Sequence, residues 1–160
     1  MKIRTAADGD LLEVMFLFLR EYRETRAAEA GIEIKHADIL QKFIWMLKQP
    51  EFGAFLVAEA EEDGAIVGYI YGPYRKGWDG NDDIVVWHEV GWYVKKDSRG
   101  QGIGLALFKA AEDIVVNAGQ ASHMTVTTAV GSDHEKLMSK FEAAGFTPLQ
   151  INFFKKVRET

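Results

Sequence analysis

The chain contains no cysteine. That excludes a disulfide framework, thiolate-ligated zinc, iron–sulfur clusters and a cysteine nucleophile. Proline is scarce, 3 in 160 residues, and no Pro-, Ser- or Gly-rich tract parts one stretch from another. A single domain over residues 1–160 is therefore expected. Basic residues are outnumbered, 19 Lys and Arg against 24 Asp and Glu, for a net charge of −5. Nucleic acid, which calls for a basic footprint, is not an expected partner, whereas an amine substrate suits the balance. Long apolar runs are missing too. The stretch Leu11–Leu19 carries Glu13 and falls well short of the ~20 residues that cross a bilayer. No membrane partner is expected, and with no signal-like start the expected location is cytoplasmic. His36, His88, His123 and His134 lack metal-ligand spacing, and the acidic run Trp78-Asp79-Gly80-Asn81-Asp82-Asp83 does not match a calcium loop, so no metal is expected.

What is present is abundant apolar surface: 48% of residues are hydrophobic, and a chain of this length can bury roughly 70% of its unfolded surface. Lys2–Thr5 reads as an opening strand, and Asp8 as a cap for the helix that follows. On that helix Leu12, Met15, Phe16 and Leu19 mark one face and Leu11, Phe18 and Tyr22 another, so cover on more than one side is expected. That face suits a core, a substrate-pocket wall or a homodimer contact. Ile39, Leu40, Phe43, Ile44 and Leu47 predict a second helix from about Ala37 to Lys48, stopped by Gln49-Pro50. Phe52–Glu61 and Ala65–Gly72 read as strands joined at Glu62-Asp63-Gly64, with Gly72-Pro73 opening a loop. Asp83–Val94 reads as one long strand. A helix to about Asn117, a strand over Ser122–Val130, a helix over Asp133–Ala144 and strand material over Phe146–Val157 complete the order. The class is α/β, one mixed sheet with helices around it.

The most informative segment is Arg99-Gly100-Gln101-Gly102-Ile103-Gly104, set between a strand and a helix. Alternating glycines let the backbone turn tightly and approach a ligand, and the first helix amides have no partner within the helix. With the helix dipole and the charge on Arg99, this makes an anion site for a phosphate or pyrophosphate. Two better-known phosphate loops fail on spacing. A Walker A loop would need glycine at Leu105 and lysine at Ala106, and the dinucleotide fingerprint would need its third glycine at Leu105. A plain strand-to-helix turn with incidental glycines stays open on spacing alone.

The segment from Val94 through Leu107 resembles the coenzyme A loop of the GNAT family of N-acetyltransferases, Arg/Gln-x-x-Gly-x-Gly/Ala after a strand-ending aliphatic. Val94, Arg99, Gly102 and Gly104 fit it, and Phe141-Glu142-Ala143-Ala144-Gly145-Phe146 resembles the family's aromatic-x-x-x-Gly-Phe helix ending. The resemblance implies a mostly antiparallel sheet of six to seven strands flanked by helices. It implies acetyl-CoA as cosubstrate, coenzyme A as product, and a small-molecule or protein amine as acceptor. It also implies that Gln101, Gly102, Ile103 and Gly104 cradle the pyrophosphate with Arg99 and Gly100 at the mouth. The Val94 backbone would hold the pantetheine arm, with Tyr93 alongside. Similar proteins often form homodimers.

Direct transfer to an amine needs a base, and the strand before the loop carries His88 and Glu89. A period of two sets His88 with Val90, Trp92 and Val94, and Glu89 with Trp87, Gly91 and Tyr93, unless a bulge intervenes. His88 titrates ordinarily near ~6.5, whereas Glu89 needs a raised pKa or a water chain. Structural roles for both stay open at this point. One departure stands out: the family often has tyrosine, a general acid, where this chain has Phe141. That motivates an alternative, a weak or inactive acyl-CoA-binding domain of the same fold. Ser132 and Glu135 are expected to cap the last long helix, leaving His134 exposed.

Overall fold

A computed structural model describes residues 1–25, 33–78, 81–127 and 134–148. The chain divides into two units, residues 1–19 with 35–127, and residues 20–34 with 128–160. The first unit holds the sheet. Its strands are β1 (Lys2–Thr5), β2 (Gly53–Glu59), β3 (Ile66–Trp78), β4 (Asn81–His88), β5 (Gly91–Val94) and β6 (His123–Thr125). The order is β1-β2-β3-β4-β6, with β5 also on β3. All pairings are antiparallel except β4 with β6. Among the described residues the sheet has six strands, mostly antiparallel and flanked by helices, in agreement with the expected class.

Helix α1 (Leu11–Glu24) enters the second unit at Arg20, and α2 (His36–Lys48) ends at Gln49-Pro50 as its sequence predicts. Val14 and Leu17 of α1 pack with Phe43 and Met46 of α2 on Phe55, Val57, Tyr69, Tyr71 and Tyr93. The other sheet face takes α3 (Ile103–Ala118), which buries Ile103, Leu107, Phe108, Ala111 and Val115. The burial on α1 corrects the expected faces. Leu12 is 68% and Phe16 59% exposed, because the sheet is reached by the stripe centred on Val14 and Leu17. Leu12, Phe16 and Leu40 instead line an open apolar groove between α1 and α2.

The helix start also differs. Asp8–Asp10 form a short 3-10 turn, and it is Asp10 that anchors it. Its Oδ2 accepts the Ala7 amide at 2.8 Å, and both carboxylate oxygens accept the Arg4 guanidinium at 2.7 and 2.8 Å. In the second unit, α4 (His134–Ala143) ends at Gly145, and the rings of Phe141 and Phe146 lie 5.9 Å apart. Residues 146–148 form no strand. The rest of the expected last strand, the end of the strand expected to reach Val130, and the side chains of the Ser132–Glu135 cap lie outside the described residues.

Two strands differ from their sequence reading, for one reason. The expected single strand over Asp83–Val94 is interrupted between β4 and β5, and β3 does not stop at Pro73 but runs on to Trp78. Along β3, Tyr71 pairs with Gly91 and Tyr74 with Trp87. Three steps on β3 therefore face four on its partner, a one-residue bulge. Val90 donates its amide to the Tyr71 carbonyl within it, at 3.0 Å. Pro73 is tolerated because it falls opposite the bulge, where a ladder donor is not required.

Candidate active site at a strand bulge

The bulge changes which residues share a face. Strand β3 is regular from Gly68 to Lys76, so Ile70 and Tyr74 lie on one side of it. Ile70 is opposite Trp92 and Tyr74 opposite Trp87, and directly opposed residues share a face. Trp87 thus lies with Trp92 and Val94 on the α3 side. His88 falls on the opposite side, with Tyr93, Tyr71 and Tyr69. The simple period of two had set His88 with Trp92 and Val94, and the extra residue reverses that. Gly72 makes the arrangement possible: a Cβ there would lie 2.3 Å from the His88 carbonyl oxygen and 2.9 Å from the Trp87 ring.

Glu89 sits in the bulge and is 3% exposed. Its amide donates to the Thr125 carbonyl at 3.0 Å, one step past the last β4–β6 pair. Beyond that step the two chains are joined by a side chain. Glu89 Oε2 accepts the Thr127 amide at 3.0 Å and the Thr127 hydroxyl at 2.7 Å. Burial pushes the Glu89 carboxyl above its usual value, and the two Thr127 donors pull it partly back. His88 Nδ1 lies 2.7 Å from Thr125 Oγ1. Burial, and then the charge of Arg75, hold its imidazole below the usual value, so it is neutral at pH 7. The sequence named His88 and Glu89. It did not reveal Thr125, at the end of β6, or Thr127, two residues beyond it.

Among the described residues β5 pairs with β3 alone. Lys95 donates to the Val67 carbonyl at 2.9 Å, so backbone groups of alternate residues, Tyr93 and Lys95, face β3. Those of Trp92 and Val94 turn to the other edge, which pairs with no strand among the described residues. Arg99 is drawn to the same edge. Its Nε donates to the Val94 carbonyl at 2.9 Å, and its guanidinium carbon lies 5.2 Å from the Tyr93 ring centroid. The guanidinium that the sequence sets at the loop mouth is thus fastened to the end of β5.

The loop then turns into α3. Gly100 and Gly102 have φ of +81° and +80°, a region costly for any residue with a Cβ, and a Cβ on either would meet nothing within 4 Å. Gln101 is exposed between them, and Ile103 is buried as the first residue of α3. Gly104 packs over Trp92, where a Cβ would stand 3.4 Å from the indole. Open space, two left-handed glycines and the start of a 16-residue helix together fit an anionic group held by main-chain nitrogens.

Among the described residues no cluster of His, Asp and Glu suits a metal ion, and no helix is long and apolar enough to cross a membrane. None of the curated proteins matches the sequence. Solved structures resemble the fold throughout. A Trypanosoma brucei acetyltransferase is 18% identical, with TM-score 0.68, covering 98% of this chain and 99% of its own. An aminoglycoside 6'-N-acetyltransferase from Acinetobacter haemolyticus is 18% identical, with TM-score 0.70 and coverage of 99% and 100%. An aminoglycoside N-acetyltransferase solved in complex with CoA is 20% identical, with TM-score 0.69 and coverage of 98% and 99%. A family model described as the acetyltransferase (GNAT) family matches residues 12–146, the span that holds the bulge, the glycine turn and α3. The chain belongs to the GNAT acetyltransferase family and is an acyltransferase.

Proposed function

We propose that the protein moves an acetyl group from acetyl-CoA to a primary amine by direct attack, with Glu89 as the general base. The observation that carries this reading is a buried carboxylate set in the bulge between β4 and β5, on the segment that leads into a glycine turn suited to a diphosphate. Acetyl-CoA, when bound, supplies a thioester carbonyl and a thiolate leaving group. Amides from Gln101 to Gly104 would hold the pyrophosphate, with Gly100 giving the turn its shape. Main-chain groups of Val94, on the outer edge of β5, would align the pantetheine arm, and Tyr93 with Arg99 would stiffen that edge.

Glu89 lies in the bulge itself, and burial raises its carboxyl from its usual value, the direction a base at neutral pH needs. His88, whose Nδ1 is engaged by Thr125, is the second candidate. The proton lost by the ammonium passes to Glu89, directly or through one water. The amine nitrogen then bonds to the carbonyl carbon and the carbon–sulfur bond breaks; the acylated nitrogen gives up its second proton to water, and the thiolate takes a proton from solvent. His88, neutral and held by Thr125, would line the acceptor side.

The test is coenzyme A release with a panel of small amines and peptides. Glu89→Gln keeps an acceptor for Thr127 but cannot take a proton, and kcat should fall by about 10²–10⁴-fold. Turnover unchanged in Glu89→Gln but lost in His88→Ala would move the base to His88. Acetyl-CoA binding with no turnover on any amine would select the inactive binding domain instead.

A further inference from the structure

The feature that the catalytic reading leaves unused is the pair of donors on Glu89. In a continued parallel ladder the Thr127 amide would bond to a main-chain carbonyl of the neighbouring strand. Here it bonds to the Glu89 side chain, and the Thr127 hydroxyl bonds to the same oxygen. Both donors favour the ionised carboxylate, and hydrogen bonds to a charged group are roughly twice as strong as neutral ones. We infer that Thr127 is the positioning residue of the active site: through its amide and its hydroxyl it fixes the Glu89 carboxylate at the bulge and favours its ionised form.

This inference rests on the reading of Glu89 as base. Other groups at the bulge are accounted for. His88 Nδ1 is engaged with Thr125, Arg75 on β3 acts on His88, and Tyr71 and Tyr93 lie on the face that His88 shares. The balance at Glu89 is between burial and the two Thr127 donors. Thr127→Val removes the hydroxyl donor and leaves the amide, while Thr127→Ser restores a hydroxyl.

Two measurements on the full chain separate this inference from the reading beneath it. The first is carbon-13 NMR titration of the Glu89 carboxyl, which needs no turnover. Thr127→Val should titrate at higher pH than the wild type, and Thr127→Ser close to the wild type. The second is the pH profile of kcat/KM for the amine. Its acid limb should move up in Thr127→Val, with roughly tenfold lower activity on that limb and recovery at higher pH, and return in Thr127→Ser. An unmoved Glu89 titration in Thr127→Val, or a Thr127→Ser protein that behaves as Thr127→Val, overturns the inference. A titration that moves while the rate profile stays still supports Thr127's hold on Glu89 and overturns the base assignment alone.

Discussion

A methyl group at position 72 should harm this protein more than its size suggests. In the wild type the Cβ position of Gly72 lies 2.3 Å from the His88 carbonyl oxygen, 2.9 Å from its carbonyl carbon and 2.9 Å from the Trp87 ring. Ordinary carbon–oxygen contacts begin near ~3.3 Å, so Gly72→Ala must part β3 from the bulge by about 1 Å. Two of the three obstacles are backbone and cannot turn aside. The cost should lie at the upper end of the usual overpacking range, ~3 kcal/mol. For a chain of this length that lowers Tm by about 6–12 °C. Activity should fall further than stability, because the displaced residue precedes Glu89, and a misplacement of ~1 Å can cost roughly 10²-fold in rate. Thermal unfolding followed by circular dichroism gives the first quantity. Coenzyme A release, assayed well below the melting range, gives the second. Gly9→Ala is the control, since a Cβ there meets nothing within 4 Å, and it should stay within ~0.5 kcal/mol of the wild type. A Gly72→Ala protein that melts and turns over like the wild type would refute the bulge geometry and with it the placement of Glu89.

Other perturbations separate binding from folding. Gly102→Val puts a β-branched residue at a φ of +80°, which should cost ~1–2 kcal/mol and reduce coenzyme A affinity in calorimetry by at least tenfold, while circular dichroism reports a folded protein. Asp10→Asn removes the charge that Arg4 grips and should cost ~1.5–3 kcal/mol at pH 7. The Arg4 hydrogen bonds hold the Asp10 carboxyl below its ordinary 3.8, so its contribution is present above that value and is lost as pH falls through the lower, folded one. Denaturant titrations of wild type and Asp10→Asn should therefore differ at pH 7 and converge as the pH drops below 3.8.

Much of the fold could be read from residues alone. The helical spacing of Ile39, Phe43 and Leu47 with the Gln49-Pro50 stop marks α2 to within one residue, and the turn at Glu62-Asp63-Gly64 joins β2 to β3. The glycine turn was legible because its conformation demands glycine: Gly100 and Gly102 sit where a Cβ is costly. The bulge was not legible. One extra residue leaves the hydrophobic pattern of Ile84–Val94 intact while exchanging the faces of everything after it, and only the register against β3 reveals the exchange. For the same reason Thr125 and Thr127 were missed, as their value lies in what they meet: His88 at the end of β4 and Glu89 in the bulge. The exposed stripe of Leu12 and Phe16 shows the converse, a helical pattern read correctly whose buried side was set by where the sheet lies.

The central claim is that the turn from Arg99 to Gly104 grips a diphosphate and so brings a thioester to the bulge beside Glu89. A crystal structure of the full chain with acetyl-CoA measures this directly. The account predicts pyrophosphate oxygens within hydrogen-bond distance, ~2.7–3.2 Å, of amides between Gln101 and Gly104, with the acetyl group at the bulge beside Glu89. A complex in which the pyrophosphate lies away from that turn, or the acetyl group away from the bulge, would contradict it.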